Sequence, residues 1–198
     1  MLKLGVFILP NKNLEKILIN NKKKIKKIFG NQKYLSHPPH CTICVLNISK
    51  KSLSKIKKEK ISTFKSGQKY KLLKTDIFTN DPLTKGNTLV FKIEKNKFLK
   101  NLQLNVLKIL NKYILKSKKI YKNKKMQLNH EKYGYPFVNS NWSPHYTIAS
   151  ISNIASQKKY FKDFKQKIIN RTSQKITRIF FFKIKKNNHK LICSKKII

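Results

Sequence analysis

The sequence predicts a mixed α/β domain built on a duplicated pattern, and three observations carry that reading. Two short segments look like copies of each other, SHPPHCTICVL at residues 36–46 and NWSPHYTIASI at residues 141–151. Each runs proline, histidine, any residue, threonine, isoleucine: Pro39, His40, Thr42 and Ile43 in the first, Pro144, His145, Thr147 and Ile148 in the second. Beyond each threonine the chain is apolar or small, as a buried strand requires. Each copy is followed by a helical pattern and then by two strand patterns, the element order of an internal duplication.

Taken in order, residues 3–9 (KLGVFIL) read as a strand stopped by Pro10. Leu14, Ile17, Leu18, Ile25 and Ile28 recur at helical spacing over residues 13–29, and Gly30 ends that helix. The first motif strand covers residues 40–48. A lysine-rich amphipathic helix is expected over residues 53–64, then strands at 70–78 and 88–94 joined through the breaker-rich DPLTKGN. Leu102, Val106, Leu110 and Tyr113 mark a long helix over residues 98–114. A loop holding Tyr133, Gly134, Tyr135, Pro136 and Phe137 leads into the second motif strand at 145–151. A helix over 157–169 and a hairpin of 176–185 and 190–194, turning at Asn187 and Asn188, close the chain.

Composition narrows the class. A length of 198 residues suits one domain, or two small lobes sharing a core, and 39% apolar content is ordinary for a globular chain. The opening MLKLGVFILP is too short an apolar run for a signal peptide, and no run approaches the roughly 18 residues of a membrane span. Three cysteines on expected strands point to a reduced, cytoplasmic compartment. The formal charge is +40, yet of 47 basic residues only Arg171 and Arg178 are arginine, and Asn, Ile, Phe and Tyr are abundant. AT-rich codons account for much of that lysine but not for only seven acidic residues. Such a field attracts polyanions in a salt-dependent way. A run such as NKKKIKK at 21–27 stays open to two readings, a solvated helix face, the commoner fate, or a nucleic-acid contact.

The motifs carry the chemistry. Side chains two apart on a strand share a face, so His40 lies with Thr42, and His145 with Thr147. Two such strands facing one cleft would offer two imidazoles and two hydroxyls to a single small group. With a reference pKa of about 6.5, one imidazole can accept a proton while the other gives one up. Hydroxyls donate to phosphate oxygens. Such a site opens or closes a phosphodiester.

HCT at 40–42 and HYT at 145–147 resemble the paired H-x-[ST] motifs of the 2H phosphoesterase superfamily, which includes 2'-5' RNA ligase-like proteins and RNA 2',3'-cyclic phosphodiesterases. The resemblance implies an α+β, duplicated, two-lobed fold: antiparallel sheets backed by helices, with the motif strands lining a central groove on a pseudo-twofold axis. It implies one domain over 1–198, lobe 1 at about 1–95 and lobe 2 at about 96–198. It implies a metal-independent phosphodiesterase acting on 2',3'-cyclic phosphate or 2'-5' bonds of RNA or nucleotides. His40 and His145 would be general base and acid in either order, Thr42 and Thr147 would hold the non-bridging oxygens, and no cofactor is expected. The substrate side would be RNA or a nucleotide cyclic phosphate, the protein a monomer, and the ring nitrogens about 5 to 8 Å apart. Two alternatives stand beside this: a lysine-rich RNA-binding or ribosome-associated protein of the same fold without important turnover, and an enzyme for a small nucleotide or sugar cyclic phosphate.

Other constellations are weaker. Strand alternation sets Cys41 and Cys44 on opposite faces, so this C-x-x-C is expected to be structural, not a metal or redox site. His37 is expected on the loop or at the cleft edge, and His130 and His189 on the surface. Tyr133, Tyr135, Phe137 and Trp142 fit either a wall on which a nucleobase stacks or a plug at the end of a sheet; Trp142 is the substrate contact to test. Lys3, Arg178 and Lys183 sit on strands whose phase the sequence does not fix. No Gly-rich phosphate loop is present.

Overall fold

The computed structural model describes residues 1–61, 68–81, 83–152, 158–166, 173–185 and 188–197. The elements follow one another as β1 (Leu2–Ile8), α1 (Lys12–Phe29), β2 (Cys41–Ile48), α2 (Ser52–Lys58), β3 (Lys69–Phe78), β4 (Asn87–Ile93), α3 (Lys97–Leu110), α4 (Lys124–Tyr133), β5 (His145–Ile151), α5 (Lys158–Gln166), β6 (Ser173–Lys175), β7 (Arg178–Lys185) and β8 (Asn188–Lys196). The strands form one sheet in the order β6-β3-β4-β5-β2-β1-β7-β8, and every pairing is antiparallel. This is the α+β, helix-backed antiparallel architecture expected.

The sheet order carries the duplication. The motif strands β2 and β5 meet at the centre, β1 and β4 flank them, and β7 and β3 lie one place further out. The repeat therefore reads β1-α1-β2-α2-β3 and again β4-α3-β5-α5-β7. Each outer strand crosses to the other side, so each half of the sheet draws strands from both halves of the sequence.

The two long helices start alike. Asn11 caps α1 by accepting from the Leu14 amide at 2.9 Å, and Asn96 caps α3 by accepting from the Leu99 amide at 2.9 Å. Gly30, at φ 67°, stops α1 in a conformation that costs glycine little. Both helices lay their apolar stripe on one face of the sheet: Leu14, Leu18 and Ile25 from α1, and Leu99, Leu102, Val106, Leu107 and Leu110 from α3. Phe161 and Phe164 of α5 extend that core. Truncating a side chain such as Leu18, which is fully buried, to alanine costs about 2–5 kcal/mol.

Several boundaries differ from expectation. The helix expected over 53–64 ends at Lys58, residues 62–67 lying outside the described ones. The helix expected to reach 114 stops at Leu110 and tightens into a single 3₁₀ turn, Asn111–Tyr113. The helix expected over 157–169 is described only as Lys158–Gln166, and of the expected hairpin turn Asn188 opens β8 while Asn187 lies outside the described residues. An unexpected helix, α4, occupies the stretch before the aromatic loop, capped by Asn123 and closed by left-handed Gly134, whose amide donates to the His130 carbonyl at 2.7 Å. Its apolar face is nearly absent, with Leu128 exposed and His130 its one buried residue, so no helical periodicity announced it. Among the described residues, no helix is long and apolar enough to cross a membrane.

Candidate active site

β2 and β5 touch through a single ladder pair, Cys41 with Tyr146, the residue after each motif histidine. In an antiparallel register that pair sets His40 opposite Thr147 and Thr42 opposite His145, with the histidines on the diagonal of the quartet. Cross-strand diagonals have Cβ atoms about 7 Å apart. His40, Thr42, His145 and Thr147 are all half-buried, whereas Cys41 and Tyr146 between them are fully buried on the helix-backed side. The sheet thus brings the four motif residues together on its open face.

Each motif strand then breaks its own alternation at the same place. β1 pairs Val6 with Cys44 and Phe7 with Thr42, skipping Ile43; β4 pairs Leu89 with Ala149 and Val90 with Thr147, skipping Ile148. These are β-bulges, one residue beyond each threonine. In β2 burial passes from Cys41 and Ile43 to Cys44, Leu46 and Ile48, a switch from odd to even positions. Strict alternation therefore fails across the bulge, and Cys41 and Cys44 are both fully buried on the core side, not on opposite faces. Burial pushes the Cys41 thiol up to about 12 and raises Cys44 as well, so both stay protonated at neutral pH. Among the described residues, no group of three His, Cys, Asp or Glu side chains could hold a metal ion.

The imidazoles are anchored identically. His40 Nδ1 donates to the Pro38 carbonyl at 2.7 Å, and His145 Nδ1 to the Ser143 carbonyl at 2.6 Å, in each case two residues back across a proline. A carbonyl only accepts, so the proton sits on Nδ1, and Nε2 is left as the atom that takes or gives a proton. Proline keeps the preceding residue extended, which fixes where that carbonyl lies. Burial drives the His40 pKa down to about 3, against the upward pull of the Pro38 carbonyl and with the help of His189, His37 and Lys22. Burial also lowers His145, opposed by the Ser143 carbonyl and by Asp81, with Lys92 adding to the lowering. The titratable groups that act on His40 are all basic, whereas His145 has both a carboxylate and a lysine in range.

The flanks differ accordingly. Beside His40 lie Phe7, its ring centroid 4.1 Å away, and His189 at 5.2 Å; His189 in turn meets His37 at 4.7 Å and Phe7 at 5.6 Å. Beside His145 lie Phe78, edge-on at 4.9 Å, and Lys92, its ladder partner, which is paired with Asp76 at 3.2 Å. His189 was expected on the surface and instead joins the site, because β8 pairs with β7 and β7 with β1. His37 likewise lies in the cluster. His130, also expected on the surface, is buried, with Nε2 near Ser117 and its ring near Tyr121. Trp142 is 3% exposed and donates Nε1 to the Thr42 carbonyl at 3.1 Å, so it packs beneath the site as a core residue and presents no open face for stacking. Arg178 turns to Ser194 at the sheet margin, and Lys183 lines a separate concavity with Lys190. Lys3 alternates with Gly5 and Phe7 along β1 and is exposed on the face that bears the site. Phe7, Phe78 and Lys92 were not foreseen; only strand pairing identifies them.

No protein-family model matches the sequence, and no curated protein matches it. Solved structures do match. The Thermus thermophilus protein TT0787 superimposes with a TM-score of 0.67 at 14% identity, over 98% of this chain and 97% of that one. E. coli LigT in its apo form gives 0.57 at 12% identity, over 99% and 97%. A structure described as a phosphoesterase gives 0.52 at 12% identity, over 100% and 99%. LigT is also known in complexes with 3'-AMP and with phosphate. At these identities the likeness speaks for the fold: from end to end, the chain has the LigT-like fold.

Proposed function

We propose that this chain is a metal-independent phosphodiesterase of the 2H phosphoesterase superfamily, acting on a 2',3'-cyclic phosphate or a 2'-5' phosphodiester of RNA or a nucleotide. The observation that carries the reading is the matched pair of imidazoles, each locked through Nδ1 to the carbonyl two residues back and set diagonally across one ladder pair. A phosphoryl group between them meets a proton acceptor on one side and a donor on the other. His40, among bases, takes the proton from the attacking water through Nε2; His145, with Asp81 in range, gives its Nε2 proton to the leaving ribose oxygen. The new P–O bond forms as the old one breaks. Thr42 and Thr147 donate to the non-bridging oxygens, where negative charge accumulates. Solvent exchange then resets the two protons. The LigT complexes with 3'-AMP and phosphate support a nucleotide or phosphate ligand for this fold.

A second reading has its own observation. An open concavity of about 550 Å³ is lined by Lys50, Lys51, Lys57, Lys183 and Lys190 with no acidic residue among the described ones, which suits an RNA-binding protein of this fold without turnover. Cyclic nucleotides, cyclic-phosphate-ended RNA and 2'-5' oligoadenylates assayed in EDTA separate the two. Turnover that persists in chelator supports the phosphodiesterase. RNA binding with no turnover of any of the three supports the second reading, and activity that disappears in EDTA and returns with one divalent ion rules out a metal-independent mechanism.

A further inference from the structure

Two buried polar side chains join the motifs to each other. The registers of the two bulges skip Ile43 and Ile148, and a buried carbonyl at such a position needs a donor. Gln103 of α3, 1% exposed, donates Nε2 to the Ile43 carbonyl at 2.9 Å. Lys22 of α1, 6% exposed, donates Nζ to the Ile148 carbonyl at 3.1 Å. Each donor also holds a second carbonyl in the loop that leads into the other motif. Gln103 reaches Phe137 at 3.0 Å, ahead of His145, and Lys22 reaches Tyr34, ahead of His40. Both loops are turned by a left-handed residue six positions before the histidine, Tyr34 at φ 71° and Asn139 at φ 53°. The helices cross over to match: α1 packs on β5 and α3 on β2.

From this reciprocity we infer that Lys22 and Gln103 are positioning residues, a pair of latches that fix the two H-x-T motifs relative to each other. Each ties the bulge of one motif to the approach of the other, so neither histidine can shift without straining a bond to its counterpart's half of the site. One of the latches is a lysine within the NKKKIKK run, where a solvated side chain would be the default. Its burial, which lowers its pKa to about 8, has no compensating carboxylate among the described residues, as befits a group kept for the carbonyls it holds. The catalytic part of this inference rests on the phosphodiesterase reading; the structural part does not.

The test uses the full chain. Lys22→Met and Gln103→Met remove the donors at similar length, Lys22→Arg keeps a donor, and Val106→Ala loosens α3 one turn from Gln103 without touching either carbonyl. For each, kcat and KM on a cyclic-phosphate-ended oligonucleotide, the melting temperature and amide hydrogen exchange by NMR are measured. In both Met variants kcat is expected to fall about tenfold to a hundredfold with KM nearly constant, since a small misplacement of catalytic groups is costly. Lys22→Arg should recover most of the loss, and Val106→Ala should lower the melting temperature with kcat retained. Exchange should quicken at residues 32–37 and 147–149 in Lys22→Met, and at 42–44 and 137–141 in Gln103→Met. If a Met variant does not fold, Lys22→Gln and Gln103→Asn, which keep a donor but shorten its reach, are read in the same way. Unchanged kcat in an active enzyme overturns the latches and leaves the phosphodiesterase reading standing. If the wild type turns over nothing, that reading falls and exchange alone decides: the reciprocal pattern sustains the latches, and a uniform or absent change overturns them.

Discussion

Among the described residues, Cys41 and Tyr146 are the one ladder pair that joins β2 to β5, and thus the two halves of the sheet. Both motif histidines immediately precede it. Behind it, the Tyr146 hydroxyl is hydrogen-bonded to that of Tyr70, and both rings are buried. The spacing of the histidines therefore rests on a junction whose core side is apolar apart from this one hydroxyl pair.

Tyr146→Phe leaves the Tyr70 hydroxyl buried without its partner, a cost of about 1–3 kcal/mol, whereas adding Tyr70→Phe removes the orphaned group and recovers most of the loss. Urea denaturation of the two single variants and the double measures this. Additive losses would mean that the pair contributes nothing as a pair.

Gly5 lies under the Phe7 ring that meets His40. A Cβ there would come within 2.3 Å of Phe7 Cζ and 2.8 Å of Ile184 Cδ1, so Gly5→Ala has to push that ring aside. The expected outcome is a stability loss of about 1–3 kcal/mol together with lower kcat/KM, read by denaturation and kinetics on one preparation. Wild-type kcat/KM in a destabilised variant would show that Phe7 does not set the His40 ring.

The pH dependence follows from the lowered histidines. The His40 pKa of about 3 in the fold lies below the usual 6.5, so the stability from burying its neutral ring is complete above 6.5 and is lost as pH falls towards 3. In catalysis the acid must be protonated, and burial lowers His145 too, so kcat/KM should decline as pH rises from a maximum below about 6.5. Asp81 raises His145, so Asp81→Asn should move that alkaline limb to lower pH. A limb unmoved in the variant would remove Asp81 from the site's electrostatics.

Thr42→Val and Thr147→Val keep the β-branched shape and delete one hydrogen bond to a charged oxygen, about 1.5–3 kcal/mol, or roughly ten- to a hundredfold in kcat/KM. Circular dichroism should be unchanged, because both side chains are half-buried on the open face. Rates within about twofold of wild type would take the hydroxyls out of the mechanism.

Much of this was legible in the sequence, for definite reasons. Period-two alternation near the start of each motif strand put His40 with Thr42 and His145 with Thr147, and helical spacing located α1 and α3. The bulges were not legible, because Ile43 and Ile148 are ordinary strand residues and only the partner strand's register exposes the skipped position; strict alternation gives Cys44 the wrong phase for that reason. Trp142 is near His145 in sequence, but its indole turns inward to the Thr42 carbonyl. His189 reaches the site through two strand pairings far along the chain, and Lys22 is hidden inside a run whose other lysines look the same.

The most direct measurement is kcat/KM on a cyclic-phosphate substrate for His40→Ala, His145→Ala and the double variant, with circular dichroism on each. Each single variant should lose about 10²- to 10⁴-fold, the range of one proton-transfer role. The double should be little worse than the weaker single, since the two act on one transition state. A folded His40→Ala or His145→Ala protein that keeps kcat/KM within about tenfold of wild type would contradict the two-histidine mechanism.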